Sequence, residues 1–147
     1  MIPRTGRILA LDWGTSRIGV AISDETQLIA SPIGTLQRRA GKRLPLHDFL
    51  TIVERQRPVG LVVGLPLDDE SLEGMSAILA RNMGETFAAR SCLPIEWIDE
   101  SFSTTEAHHV MIAAGRGRKH RVKEIDAVAA ATLLQHWLAA RRGESAR

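Results

Sequence analysis

The sequence predicts an α/β protein with a mixed five-stranded sheet and helices on both faces. Three apolar, strand-like segments come first, and a glycine-bearing turn returns the second beside the first. Helical and strand patterns then alternate, which is typical of parallel strands joined by helices. The 147 residues suit a single domain with a real core.

The first three predicted elements form the antiparallel part of the sheet. The first strand covers Arg7 to Leu11 and ends at Asp12, and apolar residues on both of its faces predict a central, buried position. The second strand ends near Asp24. The third, Leu28 to Thr35, contains Ser31-Pro32, which favours a sheet edge or a bend because proline cannot donate to the ladder.

The remaining elements alternate in type. Apolar residues recur at helical spacing in the helices, whereas the strands are short continuous apolar runs. The predicted elements are a helix from Leu46 to Arg57, a strand from Val59 to Leu65, a helix from Gly74 to Arg90, a strand from Pro94 to Ile98, a helix from Thr104 to Ala114 and a helix from Glu124 to Arg142. Residues 143–147 are expected to be a frayed tail of the domain 1–147.

Two of these helices have predicted inward faces. The side chains expected to face the core are Leu46, Phe49, Leu50 and Val53 in the first helix, and Ile78, Leu79, Met83 and Phe87 in the second. Trp13, Trp97 and Trp137 are expected in the core. Gly14, Gly19 and Gly64 are expected to shape turns.

The composition excludes several protein classes. Hydrophobic residues make up 44% of the chain and charged residues 24%, as in ordinary globular proteins, and no apolar run reaches membrane-spanning length. The first residues contain no signal-peptide core. Cys92 is the only cysteine, which excludes an internal disulfide and suits a reducing cytosol. We therefore expect a cytoplasmic protein that does not enter membranes.

Three acidic residues fall where one site could form. Asp12 ends the first strand and Glu100 follows the last, so the two converge if those strands are parallel neighbours. Asp126 is predicted in the first turn of the final helix, on the inward stripe that continues with Ala130, Leu133, Leu134 and Trp137. The alternatives are a satisfied turn aspartate at Asp12 and helix-dipole stabilisation at Asp126.

Clustered carboxylates favour a hard divalent cation. Oxygen ligands suit Mg²⁺ or Mn²⁺ better than zinc. His108 and His109 are adjacent on a predicted helix and point in different directions, so they form a poor zinc pair. Carboxylate-held ions about 4 Å apart are the usual arrangement for phosphodiester hydrolysis. The acids Asp12, Glu100 and Asp126 are therefore both the candidate metal ligands and the candidate catalytic residues.

A basic segment precedes the third acid. Residues 115–123 form a predicted glycine-containing loop with no acid, and its candidate nucleic-acid contacts are Arg116, Arg118, Lys119 and Arg121. Such a loop could hold a phosphate backbone beside the acids, although a charged run is also typical of a plain solvated face. A second basic cluster contains Arg38, Arg39, Lys42 and Arg43. Only 4% of residues are aromatic, so contacts should be to phosphates and shape rather than stacked bases.

Several ordered motifs resemble one known family. The run Leu11-Asp12-Trp13-Gly14-Thr15-Ser16-Arg17-Ile18-Gly19-Val20-Ala21 resembles the opening motif of the YqgF (RuvX-type) proteins. Further similar motifs are Ala30-Ser31-Pro32, Val63-Gly64-Leu65-Pro66-Leu67, Asp99-Glu100 and the stretch from Arg118-Lys119 to Ala130. The resemblance spans nearly the whole chain. It implies a ribonuclease H-like fold, related to Holliday-junction resolvases, and a bacterial cytoplasmic nuclease that trims the precursor of small-subunit ribosomal RNA.

The resemblance also assigns residues. The family's acidic triad corresponds to Asp12, Glu100 and Asp126, and we count Arg17 of the opening motif among the nucleic-acid contacts. Family members usually read Asp-Glu-Arg where Ser101 follows Glu100 here, which affects one implied substrate contact and not the metal ligands. Related resolvases generally have a fourth acid, for which Asp24 and Glu124 are available. The implied partners are precursor ribosomal RNA, structured DNA and ribosomal particles, bound by a monomer or a weak homodimer.

Four functions remain distinguishable. The favoured one is a metal-dependent nuclease acting on 16S ribosomal RNA precursor, and the others are a Holliday-junction resolvase, a non-catalytic RNA- or junction-binding module, and a sugar-kinase-like or actin-like phosphotransferase. The last is suggested because Asp12-Trp13-Gly14-Thr15 also resembles a phosphate-binding turn. Phosphotransferases of that class need two such domains around a nucleotide cleft, whereas 147 residues supply one.

Overall fold

The computed structural model describes residues 1–14, 16–38, 44–66, 74–99 and 118–145. Within these ranges the strands and helices follow one another in the predicted order. They are β1 (Ile8–Trp13), β2 (Arg17–Ser23), β3 (Ala30–Gln37), α1 (Leu46–Gln56), β4 (Gly60–Leu65), α2 (Met75–Ser91), β5 (Ile95–Asp99) and α3 (Arg118–Ser145). The predicted α/β class is confirmed, and the helix predicted from Thr104 to Ala114 lies outside the described residues.

The five strands form one mixed sheet in the order β3-β2-β1-β4-β5. β1 pairs antiparallel with β2 and parallel with β4, β2 pairs antiparallel with β3, and β4 pairs parallel with β5. The third strand is at the edge, as predicted. Pro32 pairs with Ala21 and Gly34 with Val20, so Ile33 is an extra residue that bulges from the ladder.

The first and last strands are not neighbours, so the condition under which Asp12 and Glu100 would follow adjacent strands is not met. β4 lies between β1 and β5, and all three are parallel. Asp12, Gly64 and Ile98 therefore occupy one row across the sheet. Their strands still end at the same edge, but two strand spacings separate β1 from β5 by about 10 Å. Any ligand shared by Asp12 and the end of β5 must bridge the end of β4.

Helices cover both faces of the sheet, as predicted. Alternate residues of β1 face opposite sides: Leu9 and Leu11 join a core cluster with α1 and α2, and Ile8 and Ala10 join a second cluster with α3. In the first cluster the rings of Phe49 in α1 and Phe87 in α2 stack, with their centroids 4.0 Å apart. Trp13 and Trp137 are buried, and Trp97 packs partly buried against the core.

The inward face of α1 is as predicted, whereas that of α2 is only half so, since Met83 and Phe87 are buried as predicted but the other two residues are not. Leu46, Leu50 and Val53 pack around the buried Phe49, but Ile78 and Leu79 are exposed. The buried residues of α2 are Ala77, Ala80, Met83, Gly84 and Phe87. A Cβ on Gly84 would lie 2.6 Å from the Trp97 ring. Small residues thus allow α2 to lie close to the sheet, so choosing inward residues by side-chain size alone misplaces Ile78 and Leu79.

The last helix is longer than predicted at both ends. α3 begins at Arg118 rather than Glu124 and continues to Ser145 rather than Arg142. Arg118, Lys119 and Arg121 are therefore helical, and the prediction that they lie in a loop is wrong. Asp126 lies in the third turn rather than the first, so helix-dipole stabilisation does not account for an acid there. Neither α3 nor any other described helix has the length and apolar character of a membrane span.

Candidate functional site

Asp12 is a buried carboxylate without a protein partner in the described parts of the chain. Its residue is 7% exposed, and no described residue donates a hydrogen bond to its side chain or pairs with it. Its position in β1 alternates with Ile8 and Ala10, so it faces α3. Burial raises the pKa of Asp12 to about 7, and the nearby charge of Asp126 adds to the rise. The site therefore holds a negative charge only at a considerable cost unless a cation offsets it.

A glycine in β2 brings the second acid to the first. Gly19 pairs with Asp12 across the β1–β2 ladder. A Cβ on Gly19 would lie 1.9 Å from the Asp126 carbonyl oxygen and 3.3 Å from the Ala127 nitrogen. Both atoms are backbone and cannot turn aside, so only glycine lets α3 lie directly on β2 at this position. This close approach sets Asp126 beside Asp12, and the expectation that Gly19 shapes a turn is wrong.

Arg17 binds the second acid. Its Nε donates to Asp126 Oδ2 at 3.3 Å, and the two side chains are 20% and 27% exposed. Burial raises the pKa of Asp126, whereas Arg17 lowers it by hydrogen bond and charge without cancelling the rise. Arg17, Gly19 and Ala21 alternate along β2 on the face that α3 covers. This strand face thus contacts both the side chain and the backbone of Asp126.

The turn after Asp12 is held by a second arginine. Arg38 Nη1 donates to the Gly14 carbonyl at 2.6 Å, and the Arg38 guanidinium lies 4.0 Å from the centroid of the Trp13 ring. The Gly14 N–H donates to the Arg17 carbonyl at 2.9 Å, which closes the turn. A Cβ on Gly14 would lie 2.6 Å from that carbonyl oxygen and 3.7 Å from Asp126 Oδ1. The Asp126 carboxylate therefore lies against the turn that follows Asp12.

The predicted site residues have different outcomes. Asp12 and Asp126 come together, and Arg17 joins them through Asp126. Arg118, Lys119 and Arg121 lie on α3 within nine residues before Asp126. Glu100 and Arg116 lie outside the described residues. The contacts of Arg38 and the space left by Gly19 were not predicted; a glycine inside a buried strand was the available signal for the second.

Asp24 does not belong to this site. It follows β2, which runs antiparallel to β1, and so it lies at the opposite edge of the sheet from Asp12. Its carboxylate accepts hydrogen bonds from the Thr26 hydroxyl and from the Leu28 and Ile29 N–H groups. Asp24 is therefore excluded as a fourth acid, and the side chain of Glu124 is not among those that the structure describes.

The donor atoms at the site suit a hard cation. Asp12 and Asp126 offer carboxylate oxygens, and burial makes an offsetting positive charge favourable. Across the described ranges, three or more potential metal-binding side chains do not occur together. The described part of the site thus contains two acids, Asp12 and Asp126, and Glu100 is the predicted third metal ligand. Once both are deprotonated, the buried Asp12 and half-buried Asp126 carboxylates outweigh the single Arg17 guanidinium by one negative charge, which favours binding of a divalent ion.

Sequence comparison identifies close relatives. Residues 6–140 match the model of the RuvX family, which is described as a Holliday junction resolvase. A candidate pre-16S rRNA nuclease of Rhodobacter capsulatus is 38% identical over 134 residues, covering 91% of this chain and 84% of its own length. A protein of the same description from Chlorobium luteolum is 40% identical over 142 residues, covering 94% of this chain and 97% of its own.

Solved structures share the fold. RuvC of Thermus thermophilus, in complex with a Holliday junction substrate, superposes with a TM-score of 0.56 over 94% of this chain and 96% of its own, at 16% identity. The yeast mitochondrial Holliday junction resolvase gives a TM-score of 0.53 over 94% of this chain and 80% of its own, at 12% identity. At such low identity the likeness concerns the fold, and it confirms the predicted ribonuclease H-like architecture.

Proposed function

The chain belongs to the RuvX family, and from this premise we propose that it is a metal-dependent nuclease that hydrolyses phosphodiester bonds in the precursor of 16S ribosomal RNA. The observation that carries the proposal is the buried carboxylate of Asp12 at the carboxyl edge of the parallel strands, beside Asp126 and without a described partner. The relatives' names supply the substrate class, and we extend it to this chain.

Three acids would hold the metal. Asp12 and Asp126 are adjacent, and Glu100 directly follows Asp99, the last residue of β5, which ends at the same edge as β1. Bound Mg²⁺ or Mn²⁺ would supply the positive charge that offsets the negative charge developing on the phosphodiester. The protein's own contribution is to bury Asp12, to press Asp126 against it through Gly19, and to limit the access of water to their carboxylates.

The basic residues before Asp126 would hold the substrate. Arg118, Lys119 and Arg121 belong to the same helix as Asp126, and eight residues of α-helix from Arg118 to Asp126 span about 12 Å. A helical backbone fixes the positions of these residues in the chain relative to Asp126 more firmly than the predicted loop would. Arg116 precedes the helix and extends the same basic run. Contacts from these residues to phosphates would position a nucleic acid without reading its sequence.

A four-way DNA junction is the second candidate substrate. The description of the matching family and the fold shared with RuvC both favour it. A non-catalytic binding module is less well supported, because it leaves the buried charge of Asp12 without a purpose. For the favoured function we propose a cytoplasmic location and an encounter with precursor RNA on ribosomal particles.

Parallel cleavage assays test the proposal. The protein is incubated with precursor 16S ribosomal RNA and with a four-way DNA junction, each with Mg²⁺, with Mn²⁺ and with chelator. We expect metal-dependent cleavage of the RNA. Cleavage of the junction alone would make the protein a resolvase. Binding of either nucleic acid without cleavage under any metal condition would reject a nuclease in favour of a binding module.

A further inference from the structure

We infer that Arg17 is a positioning residue for Asp126 rather than a contact to nucleic acid. It holds one oxygen of the Asp126 carboxylate and leaves the other directed at the turn that follows Asp12. This inference rests on the proposed metal site. It reassigns Arg17 from the substrate surface to the support of a metal ligand.

The two oxygens of Asp126 have different surroundings. Oδ2 accepts the hydrogen bond from Arg17 Nε at 3.3 Å. Oδ1 lies 3.7 Å from the Cβ position of Gly14, two residues after Asp12. One oxygen is therefore engaged by β2, and the other faces the turn that follows the first acid.

Arg17 is well placed to hold this orientation and poorly placed to bind a phosphate. Its carbonyl oxygen accepts from the Gly14 N–H, so its own backbone is fixed by the turn. Its side chain is only 20% exposed, and the Nε atom is directed at Asp126. Most of the side chain is thus withdrawn from the solvent through which a nucleic acid would approach, and its Nε atom is engaged by Asp126.

The side chain of Asp126 needs such support. Gly19 fixes the backbone of α3 at Asp126, but the carboxylate can still rotate about its side-chain bonds. Hydrogen-bond partners of ligating carboxylates typically change metal affinity by about 10- to 100-fold when they are removed. Arg17 is the residue that supplies this hydrogen bond to Asp126 within the described chain.

If the charge of Arg17 were its only role, replacing Arg17 would change metal affinity in the opposite direction. A guanidinium beside a cation site repels the cation, so removing it should tighten metal binding if charge is its only role. If Arg17 orients Asp126, removing it should weaken metal binding. Lysine keeps the charge but cannot reproduce the donor geometry of Arg17 Nε, so it separates the two roles.

The test measures Mn²⁺ affinity by isothermal titration calorimetry on the full-length protein without nucleic acid. Arg17→Gln should raise the Kd about tenfold or more, and Arg17→Lys should raise it less. Arg7→Gln is the matched control, because Arg7 contacts Gln56 at the opposite edge and its replacement changes net charge equally. Its Kd should stay at the wild-type value, and thermal melts should confirm that each variant is folded.

Several results would overturn the inference. A tighter or unchanged Kd for Arg17→Gln shows a charge effect or no effect, and a wild-type Kd for Arg17→Lys shows that charge suffices. If Arg17→Gln does not fold, the Arg17→Lys result decides alone. Asp12→Asn, titrated in parallel, separates the two proposals. If wild type binds Mn²⁺, Asp12→Asn does not and the Arg17 variants bind normally, only the role of Arg17 is wrong; if wild type does not bind, both proposals fail.

Discussion

The pKa values of Asp12 and Asp24 are shifted in opposite directions, although each residue lies at the end of a strand in the same hairpin. The Thr26 hydroxyl and the Ile29 and Leu28 N–H groups hold the pKa of Asp24 down at about 2. Burial, reinforced by Asp126, raises the pKa of Asp12 to about 7. The turn at Asp24 has the donors that its carboxylate requires, whereas no residue in the described ranges donates to the Asp12 carboxylate. Donors, rather than position at a strand end, separate a structural aspartate from one suited to a cation.

The largest expected difference between the two aspartates is in cleavage. Asp12→Asn should reduce metal-dependent cleavage at least about 100-fold, since metal charge stabilises the transition state by several kcal/mol and each 1.36 kcal/mol is tenfold in rate. Asp126→Asn should behave similarly. Asp24→Asn, at the opposite edge, should cleave at nearly the wild-type rate. Single-turnover cleavage of the same RNA by the three variants makes the comparison, and an active Asp12→Asn variant would reject the site.

The two edges should also differ in how they bind nucleic acid. Replacing Arg118, Lys119 and Arg121 by Ala should flatten the dependence of log K on log salt concentration, by about 0.7 to 0.9 for each phosphate that is no longer neutralised. Arg55 and Arg57 provide the control, since they line a cleft of about 830 Å³ at the Asp24 edge. Their replacement should leave the slope unchanged. Binding isotherms over a salt series measure both, and equal slopes for all variants would show that the basic turns of α3 are only a solvated surface.

A smaller effect is expected from closing the space over Gly19. Gly19→Ala should lower stability by about 1 to 3 kcal/mol, because the new methyl group overlaps the Asp126 backbone and displaces α3. Its Mn²⁺ affinity should fall as Asp126 moves from Asp12. Gly143→Ala is the control, since it lies in the same helix with nothing near its Cβ position. Denaturant unfolding measures stability; equal stability of Gly19→Ala and wild type would contradict the close approach of α3 to β2.

The smallest effects concern stability against pH. The folded protein keeps the Asp12 proton up to about pH 7, whereas the unfolded chain loses it near its ordinary value of 3.8. Metal-free wild type should therefore lose stability between these values as pH rises, and Asp12→Asn should melt a few degrees higher at neutral pH. The pKa shift of Asp24 has the opposite effect on stability. Its contribution to the stability of the folded protein is complete above the ordinary pKa of 3.8 and is lost as pH falls towards 2. Asp24→Asn should thus melt slightly lower at neutral pH.

Thermal melts from pH 3 to pH 8 with chelator, and then with Mn²⁺, measure these differences. Mn²⁺ should stabilise wild type and Asp24→Asn by mass action, and Asp12→Asn little. Equal responses of all three proteins to the metal would show that Asp12 is not a ligand.

Much of the fold could be predicted from local patterns. Continuous apolar runs identified β1 and β4 as buried strands, and the helical period of α1 identified Phe49 and its neighbours as core. Ser31-Pro32 favoured an edge or a bend in β3, which is the edge strand and has a bulge there. These patterns follow from the periodicity of each element and from the cost of burying polar groups, which nearby residues determine. The acid at the end of β1 stood out for the same reason, since a carboxylate after a buried strand is costly without a partner.

Other features were decided by contacts between distant parts of the chain. Local sequence patterns were enough to place Asp12 at the end of an apolar strand and Asp126 within an amphipathic helix. The tertiary structure placed β4 between β1 and β5, turned the small residues of α2 inward, and packed Asp126 on Gly19. Arg17 meets its partner across 109 positions of sequence. The periodicity of a strand or helix shows which of its faces is buried. It does not show which other strand, helix or hydrogen-bond donor will contact that face, because those contacts depend on how surfaces from separate segments pack.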